Sequence, residues 1–219
     1  MRWRIAASAG FLWLIPAVVF GQTPGLPIDR DGFNVNLYVS AGQPVLTHDA
    51  ETVWSSVGGL DIVPGFGLRL GYRWHRVGLE GGFDITGANP RGRDGLGGGV
   101  YLMALLRVAP EHRFDPTIGV GFVREGLLAD FNAGEFPLET IARNPDEPGL
   151  AGEAGTFGNG IRVDAGGNIG LSRTWNVTIN GMADFLWFGT ASYNDAEHSL
   201  QEKGVSVWPR VAVGLRWNP

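Results

Sequence analysis

The stretch "DIVPGFGLRLGYRWH" at residues 61–75 decides how this chain folds. Taken in steps of two from Asp61 it gives Asp61, Val63, Gly65, Gly67, Arg69, Gly71, Arg73 and His75. The other register gives Ile62, Pro64, Phe66, Leu68, Leu70, Tyr72 and Trp74. A period of two belongs to a β-strand, whose successive side chains point to opposite faces. One face is large and apolar, the other small or charged. The fold turns on which of them meets water.

The same alternation recurs on both sides of this stretch. Residues 32–42 set Phe33, Val35, Leu37 and Val39 opposite Asn34, Asn36, Tyr38 and Ser40. Residues 76–87 set Val77, Leu79, Phe83 and Ile85 opposite Glu80, Gly82 and Asp84. Residues 98–108 are apolar on both faces, and Arg107 breaks the tie by placing Val100, Leu102, Ala104, Leu106 and Val108 outward. Further alternating segments follow at 114–125, 161–172, 175–188 and 205–217, which completes eight strands. The links alternate as well. Those around His75–Arg76, "APEHR" and Arg173–Thr174 are short, whereas 43–60, 88–97, 126–160 and 189–204 are long. An up-and-down meander has this layout when tight turns lie at one end and long loops at the other.

The charged side chains settle the orientation. Asp61, Arg69, Arg73, Glu80, Asp84, Arg107, Asp115, Glu125, Arg162, Asp164, Asp184, Arg210 and Arg216 all share the face opposite the large apolar residues. Arg124 alone departs from this, at the loop end of its strand, where its long stem lets it reach a headgroup. The apolar alternation persists over lengths suited to a tilted membrane-spanning strand, longer than the five or six residues usual in soluble sheets. Tyr72, Trp74, Trp175, Trp187, Phe188 and Trp217 gather near strand ends, as interfacial aromatic girdles do. An even number of antiparallel strands closes without leaving an edge in hydrocarbon. The expected fold is therefore all-β: an eight-stranded antiparallel up-and-down transmembrane β-barrel with short periplasmic turns and long outer loops. An eight-stranded barrel is just wide enough for side chains to fill. Inward glycines such as Gly65, Gly67, Gly71 and Gly121 leave volume for arginines, so a paired acid–base network is expected rather than an open pore.

The ends and the composition bound the rest. Residues 1–21 carry Arg2 and Arg4, an apolar run from Ile5 to Phe20 and then Gly21, the layout of a cleaved secretory signal. Residues 22–31 then form a short periplasmic segment, and 32–217 the barrel. Loss of the two arginines takes the formal net charge from −5 to −7, which excludes an electrostatic nucleic-acid binder. The chain has no cysteine, which rules out disulfides and thiolate chemistry.

With its leader, eight strands and unequal links, the chain resembles the small eight-stranded outer-membrane barrels of Gram-negative bacteria, the group of the OmpA transmembrane domain and OmpX. The likeness covers 32–217. It includes a last strand, "VSVWPRVAVGLRW" at 205–217, that resembles the signal read by the outer-membrane assembly machinery, although Asn218 and Pro219 follow its final aromatic. The resemblance implies a bacterial outer-membrane location, with outer-membrane lipid and lipopolysaccharide as surroundings and the assembly machinery as a partner. A monomer is expected. An unidentified ligand of the outer loops remains open.

No catalytic, metal or cofactor residues are assigned. His48, His75, His112 and His198 lie in links, and "EHSL" at 197–200 places His198 beside Ser199 in what reads as a loop. Some small barrels that modify lipid A use a His–Ser pair, but one such dipeptide does not establish a triad. The stretch 126–160 carries Asp130, Glu135, Glu139, Asp146, Glu147 and Glu153 in a spacing that matches no calcium loop, and reads as a solvated acidic surface. "GRDGLGGG" at 92–99 reads as loop and turn, without the setting of a phosphate loop. The leading expectation is an outer-membrane structural or surface-interaction protein. A lipid A-modifying enzyme and a narrow channel for small solutes are the alternatives.

Overall fold

The computed structural model describes residues 31–45, 62–88, 95–131, 152–193, 196–199 and 204–219. These form nine strands: β1 (Gly32–Gly42), β2 (Val63–Trp74), β3 (Val77–Ala88), β4 (Gly95–Arg107), β5 (Phe114–Phe131), β6 (Gly152–Gly170), β7 (Trp175–Tyr193), β8 (Ala196–Ser199) and β9 (Val205–Trp217). Each of β1 to β7 pairs antiparallel with the next; β7 then pairs with β9, and β9 with β1, which closes an eight-stranded barrel. β8 hydrogen-bonds to the end of β7 and takes no part in the closure.

The register fixes the barrel's shape. From Leu37 the paired residues run through Leu68, Phe83, Val100, Arg124, Asn159 and Trp187 to Val205. Yet β9 meets Leu37 itself at Leu215, ten residues further along. A stagger of this kind tilts strands by about 35–45° to the barrel axis. Both termini of the described barrel and the short turns share one end, since Gly32 lies opposite Arg73 and Trp217 opposite Trp175.

The outer wall is apolar throughout the middle of the barrel. Leu37, Val39 and Phe122 are 61%, 65% and 69% exposed, and comparable aliphatic and aromatic side chains cover every other barrel strand. A water-soluble surface rarely carries a contiguous apolar patch beyond a few hundred Å². A belt around the whole circumference is a lipid-facing surface, and the closed ladder leaves no backbone edge in it. Arg107 does select the face of β4: Val100, Leu102 and Leu106 point out, while Tyr101, Met103 and Leu105 are buried inside.

At the long-loop end the structure differs from the sequence expectation. The stretch 126–160 is not one link: Gly126–Phe131 continue β5 and pair with Gly152–Phe157 of β6. Gly95–Gly97, expected in the 88–97 link, belong to β4. The 189–204 link holds the end of β7 and all of β8, so His198 and Ser199 are strand residues paired with Ala191 and Thr190. The cause is physical. Alternation is written into sequence only where one face meets lipid, and ladder hydrogen bonds beyond the bilayer need no such pattern.

Candidate functional site

The lumen is where chemistry-bearing side chains converge. Six arginines (Arg69, Arg73, Arg107, Arg162, Arg210 and Arg216) and six carboxylates (Glu80, Asp84, Asp115, Glu125, Asp164 and Asp184) are all buried within it. Alternation on each strand turns them inward, and the closed register stacks them in three levels. Asp61 lies outside the described residues.

The lower level is nearest the short turns. Glu80 of β3 receives two guanidinium groups, Arg73 at 3.1 Å and Arg216 at 2.9 Å. Arg216 also donates to Asn168 Oδ1 at 2.9 Å. Beside them Arg107 Nε bridges Asp115 Oδ2 at 2.6 Å, and its Nη groups donate to the carbonyls of His75 and Pro110 at 2.9 and 3.3 Å. Two turns are thereby tied to one buried arginine. His75 itself sits at φ 43, a left-handed conformation, and its N–H donates to the Asp31 carboxylate. Histidine is among the residues that visit this region more readily than most.

At the waist Arg69 bridges Asp164 at 2.9 Å and donates to Met182 Sδ at 2.7 Å. Its guanidinium lies 4.9 Å from the centre of the Tyr38 ring, a cation–π contact. Gly67 makes this layer fit, because a Cβ there would overlap the Tyr38 ring. Asn180 donates to the second oxygen of Asp164 at 2.5 Å.

In the upper level two arginines share three carboxylates. Arg162 reaches Asp84 at 2.5 Å, Asp184 at 2.6 Å and Glu125 at 3.1 Å. Arg210 reaches Glu125 at 2.5 Å and Asp84 at 3.4 Å, and also bonds Asp184. The Tyr38 hydroxyl donates to Asp84. Arg162 lies 4.1 Å from the Tyr101 ring centre and Arg210 4.9 Å from that of Trp208. Leu186, Phe188 and Trp208 are buried at this end of the lumen.

Of the aromatics expected at the interfaces, Tyr72, Trp74, Trp175, Trp187 and Trp217 are exposed on the outer wall, with Tyr72 and Trp74 in ring contact at 4.8 Å. Phe188 is a correction: it is buried inside the barrel, where Gly158 admits its ring. It shares the parity of Asp184 and Leu186, so the alternation of β7 carried the right answer and its place near a strand end misled. The rings that receive arginines, Tyr38, Tyr101 and Trp208, were not singled out from sequence. Their signal was available too, since Tyr101 lies six residues from Arg107 and so on the same face. His198, Ser199 and Glu197 are placed in β8 by backbone alone, and residues 132–150 lie outside the described residues. Among the described residues no group of three or more His, Asp or Glu side chains is arranged to hold a metal ion.

No family model and no curated protein matches the sequence. Solved structures do. Neisserial surface protein A superposes with a TM-score of 0.57 at 11% identity, covering 85% of this chain and 96% of that one. The outer membrane protein OprG from Pseudomonas aeruginosa superposes with a TM-score of 0.50 at 11% identity, covering 86% and 96%. The fold is therefore that of the small eight-stranded outer-membrane barrels.

Proposed function

We propose that this chain is an anchoring and surface-interaction barrel of the bacterial outer membrane, with a sealed interior and a projecting outer sheet. The observation that carries the reading is the lumen, where twelve charged side chains are buried in mutual contact. Burial of so many ions without pairing would be prohibitive, and pairing fills the space a water column needs. The wall of lipid-facing side chains supports membrane residence, and the likeness in fold supports the outer membrane. On this reading lipid and lipopolysaccharide surround a monomer, and β9 is the strand that the assembly machinery reads.

The projection of β5, β6 and β7 gives the reading its outward-facing part. These strands have 18, 19 and 19 residues, against 11 and 12 for β1 and β2. Among the described residues the excess extends the sheet beyond the outer girdle on the side of these strands, where it would present a surface to a ligand. Planar-bilayer recording of the purified protein tests the sealed lumen: no steady conductance is expected, and a steady ion-selective current through the wild type would overturn it in favour of a channel. A mobility shift between unheated and heated protein on a gel, using material extracted from outer membrane, checks location and barrel closure together.

A further inference from the structure

On the outer wall one residue stands apart. Among the barrel-strand residues whose side chains are described, Arg124 of β5 is the one charged group on the lipid-facing side. Everything below it on that face of β5 is apolar, from Phe114 through Ile118 and Val120 to Phe122. An arginine in that position either faces hydrocarbon at high cost or sits where hydrocarbon ends.

Its height decides between these. Arg124 is ten residues above Phe114. At about 3.3 Å per residue and a tilt near 40°, that is roughly 25 Å along the membrane normal, the height of the apolar band of such barrels. The register agrees. Arg124 lies opposite Asn159 of β6, and Asn159 lies opposite Trp187 of β7, the exposed indole at the upper end of that strand. A cation, an amide and an indole therefore stand side by side in one row at the outer boundary.

The guanidinium is held there. Its central carbon lies 5.9 Å from the centre of the Phe157 ring, which belongs to the next row up. That ring lies across Gly126, where a Cβ would fall 2.5 Å from ring atom Cδ1. Gly126 makes room for Phe157, and Phe157 holds the arginine pointing away from the bilayer centre. The register shift between Phe157 and Gly158 falls at the same level, where Gly189 of β7 is passed over in the pairing. Such a bulge turns the strands above it away from the wall below.

We propose that Arg124 and Asn159 form a binding site for the phosphate of an outer-leaflet lipid headgroup, with Trp187 against the glycerol or sugar region and the acyl chains along Phe122 and Ile161. Among the described residues no carboxylate shares this face, so the guanidinium is open to an anion that approaches from the leaflet. A fork of N–H donors suits a phosphate, and the neighbouring amide adds a further donor. Lipid A phosphates fit both the charge and the height. The proposal rests on the membrane-barrel reading, because it needs a leaflet at this level.

The test uses the full-length protein purified in a zwitterionic detergent, first shown to be closed by its heat-dependent mobility shift. Native mass spectrometry then measures how much diphosphorylated lipid A the barrel retains. Arg124→Gln is expected to lower retention about fivefold. Arg173→Gln, which removes an exposed cation from a short turn at the other end, is expected to leave it unchanged. Inorganic phosphate at equal concentration should not displace the lipid. Equal retention by wild type and Arg124→Gln, equal loss in Arg173→Gln, or displacement by free phosphate would each overturn the site. Loss of the mobility shift in the wild type would instead remove the barrel reading itself.

Discussion

The two ends of the lumen solve the same problem with opposite arithmetic. At the lower end two guanidiniums, Arg73 and Arg216, share the single carboxylate Glu80. At the upper end two guanidiniums, Arg162 and Arg210, share three carboxylates, Asp84, Glu125 and Asp184. The Arg107–Asp115 pair beside Glu80 is balanced in itself, so each end is unbalanced by one charge, in opposite senses, and the neutral Arg69–Asp164 pair lies between them. The lesson is that pairing within a barrel is not one-to-one. Which residue is indispensable depends on the cluster it belongs to: below, the Glu80 carboxylate that Arg73 and Arg216 share; above, the bases. A network of shared ions resists the loss of its surplus partner and fails on the loss of its scarce one.

The largest effects should follow that rule. Arg162→Met removes a group that three carboxylates share, and Glu80→Gln removes the carboxylate that two arginines share. Each should destabilise the barrel by about 3–5 kcal/mol, the range for stranding a buried charge. Urea unfolding of the refolded protein in lipid vesicles measures this. If either substitution proves neutral, water reaches that end and the sealed-lumen picture is wrong there.

Both ends share the premise that arginine belongs inside. Leu68 tests it at the waist, next in sequence to the buried Arg69 but on the lipid face, opposite Leu37 and Phe83. Leu68→Arg should cost about 2–4 kcal/mol if the residue is near the bilayer midplane, since lipid offers no counter-ion. Spin labels at 68 and 69 should report apolar and polar surroundings respectively; the reverse would make the wall water-facing.

The smallest effects sharpen the comparison most. Glu125→Gln leaves Arg162 and Arg210 with Asp84 and Asp184, and Arg73→Met leaves Glu80 with Arg216. Each removes the surplus charge of its end, so each should change stability by only about 1 kcal/mol, the scale of a single net hydrogen bond. Should Glu125→Gln cost as much as Arg162→Met, the upper cluster would depend on each individual contact rather than on its charge count.

Much of this molecule was legible before any coordinates. The parity of charged residues, and of Asn34 and Asn36 in β1, set the inner face of each spanning strand, and Arg107 alone fixed the face of a segment that was apolar on both sides. Short and long links gave the meander and its two ends. All these readings depend on a local rule: lipid on one side of a strand forces every second side chain to be apolar. Where the rule lapses, so did the reading. Gly126–Phe131 and Gly152–Phe157 pair beyond the bilayer and show no alternation. Phe188 failed for a different reason: the rule held and its parity pointed inward, but its place near a strand end was weighed above it.

The sequence by itself therefore determined the wall: how many strands, which face is out, and that six arginines with their acids lie within. Only the tertiary structure decided the partners. Arg162 meets Asp84 across 78 positions of sequence and Arg210 meets Glu125 across 85. Those meetings depend on the ten-residue stagger with which the barrel closes. Alternation constrains each strand against its own solvent and carries no information about height relative to strands on the far side. Closure supplies that height, because joining the last strand to the first in one register fixes every level of the lumen at once.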